Sequence, residues 1–126
     1  MVFVGVDYGR VRTGMAAFLE GVVLPLEPVL GGWAAIEGRL GDLRGKWGDI
    51  TVILGLPLGA SGQVTSLSGE VESLADRLSG KGYEVVLQRE TGTTLEALES
   101  HPDIPRKGPL DSAAACLILK RYLREP

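Results

Sequence analysis

The sequence predicts an α/β fold: a five-stranded mixed sheet covered by helices. Three observations carry this. Three apolar stretches joined by short links open the chain, the pattern of an antiparallel meander. Two more buried-type strands follow, each preceded by an amphipathic helical stripe. A final apolar helix closes the chain. A meander followed by right-handed strand–helix crossovers gives one mixed sheet with helices laid on it.

The elements follow in order. Val2–Val6 is apolar and β-branched, broken only by Gly5, and reads as a buried strand. Residues 8–14 form a tight connection. Met15–Leu19 is the second strand. Val22-Val23-Leu24 is a third, short and at an edge because Pro25 and Pro28 follow it. Trp33, Ile36, Leu40, Leu43 and Trp47 recur at three- and four-residue steps and predict a helix, which Gly38, Gly41 and Gly45 weaken. Both tryptophans on that stripe read as core rather than as platforms for stacked bases. Thr51–Leu56 is a buried strand stopped by Pro57, and a small-residue loop with Gly59 and Gly62 follows. Leu67, Val71, Leu74, Ala75 and Leu78 mark a second helix, closed by Gly80 and Gly82. Glu84–Leu87 is the fifth strand. Thr94–Ser100 reads as a short helix, His101–Pro109 as a turn-rich loop, and Leu110–Leu123 as the last helix.

Size and composition narrow the function. The 126 residues make one domain, 1–126, with 44% apolar and 23% charged residues. No apolar run approaches the ~20 residues needed to cross a bilayer, so no membrane partner is expected. The first residues lack a basic leader and run straight into a core strand, which points to the cytoplasm. Cys116 lies in an apolar stretch and reads as a buried thiol. One histidine and one cysteine exclude a His/Cys zinc site. Any metal must be held by carboxylates, which suit magnesium or manganese. The net charge of −3 counts against a protein that coats nucleic acid through bulk charge. It leaves room for a local basic rim, for which Arg10, Arg12, Arg89, Arg106 and Lys107 are the candidates. Scattered solvated charge is the alternative reading of those five.

Three acids stand at element ends. Asp7 follows the first strand and Glu90 the fifth, both at carboxyl ends, where ligands of open α/β sheets gather. Asp111 begins the last helix and shares a largely apolar stripe with Ala115, Ile118 and Tyr122, a face that should dock on the sheet. Phosphodiester cleavage needs an activated water and a stabilised leaving oxygen, and two divalent ions about 4 Å apart supply both. Three acids brought together repel unless a cation offsets them. Each also has a plainer reading: Asp7 as a turn former, Glu90 as a solvated strand end, Asp111 as a helix N-cap. Gly55–Gly62 is either a close-approach loop for a phosphate or an ordinary strand-to-helix connection.

These acids lie in recognisable wording. Asp7-Tyr8-Gly9-Arg10-Val11-Arg12-Thr13-Gly14-Met15-Ala16 resembles the opening motif of the YqgF/RuvX family, Asp-x-Gly-x-Lys-Arg-x-Gly-x-Ala. Gly55-Leu56-Pro57-Leu58 with Gly62 resembles the family's second motif. Leu110-Asp111-Ser112-Ala113-Ala114-Ala115 and the residues to Leu123 resemble its closing helix. The resemblance implies an RNase H-like fold with sheet order 3-2-1-4-5 and strand 2 antiparallel. It implies a nuclease that cuts branched DNA (Holliday junctions) or trims the 5′ end of precursor 16S ribosomal RNA. It places the catalytic, metal-binding acids on Asp7, Glu90 and Asp111, with two Mg2+ or Mn2+ ions as cofactors, and Arg12 on a phosphate. The chain departs from the family at Val11, where lysine is usual, and around Glu90, where Arg89 and Thr91-Gly92 replace the usual Asp and Arg-Leu. Two readings in other classes stand beside this one. One is a catalytically degenerate nucleic-acid-binding module. The other is nucleotide phosphotransfer, which the single-domain length disfavours. Cutting both strands of a junction would favour a two-fold homodimer.

Overall fold

The computed structural model describes residues 2–58, 63–90 and 110–124, and of residues 110 and 111 the backbone alone. The expected Thr94–Ser100 helix, the loop Gly59–Gly62, Arg106 and Lys107 lie outside the described residues. Strands β1 (Val2–Asp7), β2 (Arg12–Leu19) and β3 (Val22–Leu30) form the meander. They are followed by α1 (Trp33–Trp47), β4 (Ile50–Pro57), α2 (Ser66–Gly80), β5 (Glu84–Glu90) and a last helix, α3 (Leu110–Arg124). The sheet runs β3-β2-β1-β4-β5, the order implied by the family resemblance. β2 is antiparallel to both neighbours, whereas β1, β4 and β5 are parallel.

Strand alternation divides the core into two layers. Val4, Val6, Val52 and Leu54 face one side, where Ile36 and Leu40 of α1 and Val71 and Leu74 of α2 cover them. Phe3, Ala16 and Ile53 face the other side, covered by α3 through Ala115, Ile118 and Leu119. Cys116 lies buried in this second layer, and burial pushes its thiol pKa up to about 11. No helix among the described residues is long and apolar enough to cross a membrane.

The helices follow their stripes. α1 spans the full interval between the two tryptophans despite its glycines, because Ile36, Leu40 and Leu43 are buried. Trp33 and Trp47 pack against the core at its ends. α2 opens with a reciprocal cap: Thr65 N–H donates to Ser68 Oγ (2.6 Å) and Ser68 N–H to Thr65 Oγ1 (3.3 Å). Such a cap is worth about 1 kcal/mol.

β3 corrects the sequence reading. It is an edge strand as expected, but it has nine residues and carries both prolines within it. Pairing jumps from Thr13↔Val29 to Met15↔Leu26, so β3 holds one extra residue opposite Gly14. Pro28 sits in that bulge, and an edge strand can spare an N–H facing solvent, so neither proline ends the strand. Two further boundaries move: Asp7 and Glu90 are the last residues of their strands rather than the first residues after them.

Candidate functional site

The site is organised by which face each strand end presents. Asp7 has the parity of Phe3 and Gly5, so it belongs to the face covered by α3. Glu90 has the parity of Val86 on the same face. Both stand at carboxyl ends of parallel strands, with β4 between them. In register, Val6 pairs with Leu54, Leu54 with Leu87, and Pro57 with Glu90. Asp7 is therefore one step beyond Val6, and Glu90 is three steps beyond Leu87. With neighbouring strands ~4.8 Å apart and ~3.3 Å per residue, their Cα atoms stand roughly 10–12 Å apart. That span is too long for the carboxylates to touch directly and short enough for them to flank a shared cation site.

Two glycines bring α3 onto this face. A Cβ on Gly5 would lie 2.7 Å from Leu119 Cγ and 2.8 Å from the Ala115 carbonyl oxygen. A Cβ on Gly55 would lie 2.5 Å from Ile118 Cδ1 and 3.6 Å from Glu90 Cγ. Gly55 is thus a strand residue beneath a helix, and the close approach it permits is to Ile118. The start of α3 is tied to the edge strand: Ser112 is fully buried and its hydroxyl donates to the Leu26 carbonyl oxygen (2.5 Å). Leu26 pairs with Met15, which pairs with Val6. The helix therefore begins at the rim that carries Asp7. Asp111 precedes Ser112 in the backbone, but its side chain lies outside the described residues. Among the described residues no three His, Cys, Asp or Glu side chains form a group able to hold a metal.

Glu90 is buried, with 7% of its surface exposed. The guanidinium of Arg121, in the last turn of α3, donates from Nη1 to its Oε2. The Leu58 N–H donates to the Glu90 carbonyl oxygen (2.8 Å), which fixes the strand end. Sequence reasoning missed Arg121 and Ser112. The available signal was spacing: Arg121 lies three residues beyond Ile118, at the margin of the sheet-facing stripe.

The β1–β2 connection is built on Gly9 and Thr13. A Cβ on Gly9 would collide with the Arg12 carbonyl oxygen, so the motif glycine has a steric cause. The buried Thr13 hydroxyl accepts from Gly9 N–H and donates to the Gly9 carbonyl oxygen, both at 3.3 Å. Arg10, an expected phosphate contact, is held by α2: its Nε donates to Glu70 Oε2 (2.7 Å) and its Nη2 to Ser66 Oγ (3.3 Å). Tyr8 donates to the other Glu70 oxygen (3.0 Å). Arg12 opens β2 and is exposed at the rim. Arg89 is exposed too, but has the parity of Val85 and so lies on the face opposite Glu90. Among the described residues the expected basic rim is thus divided among two faces and one ion pair, with Arg106 and Lys107 outside them.

The Tyr8–Glu70–Arg10 cluster has a pH signature. The hydrogen bond from Arg10 is the main cause holding the Glu70 carboxyl below its ordinary 4.5, with Tyr8 adding to it. Burial, then the Glu70 contact, pushes the Tyr8 phenol above its usual value. A depressed carboxyl contributes stability that is complete above its ordinary pKa and is lost as pH falls through the lower folded value. Glu70→Gln is therefore expected to melt below the wild type at neutral pH and to converge with it in acid. Circular-dichroism melts across that range check this; a gap that persists unchanged in acid contradicts it.

Comparison with known proteins comes down on one family. The sequence model that matches, over residues 1–125, is described as RuvX: Holliday junction resolvase. A protein of Helicobacter pylori strain G27, provisionally named a pre-16S rRNA nuclease, is 32% identical over 94% of this chain and 92% of its own. One of Azotobacter vinelandii with the same provisional name is 32% identical over 97% of this chain and 86% of its own. Among solved structures, Thermus thermophilus RuvC in complex with a Holliday junction substrate superposes with a TM-score of 0.57 at 14% identity. It covers 98% of this chain and 95% of RuvC. That last likeness is one of fold.

Proposed function

We propose a nuclease function on one premise: this chain belongs to the RuvX family. On this reading residues 1–126 act as a single domain that hydrolyses phosphodiester bonds in nucleic acid with divalent metal. The substrate is branched DNA or the 5′ end of precursor 16S ribosomal RNA, and the work is done in the cytoplasm. The observation that carries the reading is the shared rim. Asp7 and Glu90 lie on one face at the carboxyl ends of parallel strands, and α3 begins at the same rim.

The donors fit a hard divalent ion. They are all carboxylates, as magnesium or manganese prefers. Glu90 is buried, and a buried carboxylate is costly without a cation beside it; in this structure a guanidinium stands there. Asp7, Glu90 and Asp111 would hold two ions. The ions would supply an activated water and a stabilised leaving oxygen. The protein's own part is positional. Gly5 and Gly55 let α3 lie close on the sheet, which closes the site from behind. Gly9 and Thr13 fix the connection between Asp7 and Arg12, and Arg12 at the rim takes a phosphate. A two-fold dimer would present two such sites to the two strands of a junction.

The Arg121–Glu90 pair also favours a second reading, a module of the same fold that binds nucleic acid without cutting it. One experiment separates the two. Purified protein is incubated with a four-way DNA junction or precursor 16S rRNA, in Mg2+ or Mn2+ and in chelator. Cleavage that needs metal supports the nuclease. Salt-sensitive binding with no cleavage in either metal supports the binding module. Absence of both overturns the two readings together.

A further inference from the structure

We propose that Arg121 is the counter-ion that Glu90 exchanges for metal, so that the guanidinium and the metal ion compete for one carboxylate. The inference rests on the reading of Glu90 as a metal ligand. It starts from an asymmetry within the pair. The Glu90 side chain is 8% exposed, whereas that of Arg121 is 30% exposed. The carboxylate cannot leave: it ends β5, its backbone is held by Leu58, and its Cγ lies over Gly55 beneath α3. The guanidinium can leave, because it sits on a long side chain from the last helical turn with a path to solvent.

Without metal, Arg121 neutralises a buried charge that would otherwise be costly. A divalent ion on Glu90 would face that guanidinium across a poorly solvated gap, where like charges repel strongly. Binding at Glu90 therefore requires Arg121 to withdraw. The coupling is reciprocal: what the pair with Glu90 contributes to the metal-free fold is subtracted from metal binding. A structural ion pair alone would lower the melting temperature on removal and leave metal affinity unchanged.

The test is Mn2+ titration of the full-length chain by electron paramagnetic resonance, together with metal-free thermal melts. Arg121→Gln is expected to melt below the wild type without metal and to bind Mn2+ about tenfold more tightly. Glu90→Gln is titrated in parallel. If it binds Mn2+ as the wild type does, the reading of Glu90 as a ligand fails whatever Arg121 does. If Glu90→Gln weakens binding while Arg121→Gln leaves it unchanged, competition is overturned and the ligand stands. Arg121→Met keeps the aliphatic stem and serves if the Gln variant does not fold, with the same tightening expected. The double variant Glu90→Gln/Arg121→Met removes both charges of the pair. It should bind Mn2+ no more tightly than Glu90→Gln alone; equal tightening in both backgrounds would assign the effect to general charge and overturn the exchange.

Discussion

Asp7→Asn is expected to keep the fold and to lose metal-dependent cleavage. Asp7 is the last residue of β1 and pairs with Gly14 through backbone groups, which asparagine preserves. Its side chain is only half-buried, and the substitution is nearly isosteric. Its proposed role is that of a metal ligand. Replacing an outer-shell partner of a metal typically costs 10–100-fold in activity or metal affinity, so removing a ligand should cost more than about 100-fold. Electrostatics gives the result a second signature. If Asp7, Glu90 and Asp111 converge, removing one negative charge relieves repulsion in the metal-free protein. The variant should still melt cooperatively without metal, while losing the stabilisation that Mn2+ confers. Single-turnover cleavage and melts with and without Mn2+ read both. Wild-type cleavage by a homogeneous Asp7→Asn preparation would remove Asp7 from the chemistry.

The largest effect on stability is expected from Gly5→Ala. The added methyl meets Leu119 Cγ at 2.7 Å and the Ala115 carbonyl oxygen at 2.8 Å. One is the branch point of a fully buried side chain, the other is backbone of α3, and neither can turn aside. Relief must come from lifting the helix or bending the strand, at a cost of about 1–3 kcal/mol. That corresponds to a fall of several degrees in melting temperature. The matching change at Gly55 meets mainly Ile118 Cδ1, the far end of a flexible side chain, and should cost less. Lifting α3 also moves the rim where the helix begins, so Gly5→Ala should lose activity beyond its loss of folded protein. Equal melting temperatures for Gly5→Ala and wild type would mean that α3 does not press on the sheet as described.

How far the fold was legible depends on the kind of signal each segment carries. β1 and β4 are apolar runs each interrupted by one glycine, and their buried faces leave one placement open. The stripe of α1 outweighed three glycines because Ile36, Leu40 and Leu43 all reach the core. β3 was read too short because proline looks like a stop in sequence, whereas on an edge with a bulge it is tolerated. The candidate site was legible in the strand ends that carry Asp7 and Glu90, since strand ends are visible once strands are. Its counter-ions were not. Arg121 reaches Glu90 from 31 positions away, and Glu70 captures Arg10 from 60. Those pairings depend on how helices lie across the sheet, which local periodicity does not encode. Gly5 and Gly55 belong to the same class: in sequence they interrupt strands, and only the approach of α3 explains them.

The central claim is that one rim of the sheet, marked by Asp7, Glu90 and the start of α3, holds the catalytic metal. Anomalous scattering from crystals soaked in manganese tests it most directly. The account predicts manganese bounded by the Asp7, Glu90 and Asp111 carboxylates, with the Arg121 guanidinium drawn away from Glu90. Manganese bound elsewhere, or no manganese at that rim at concentrations that support cleavage, would contradict it.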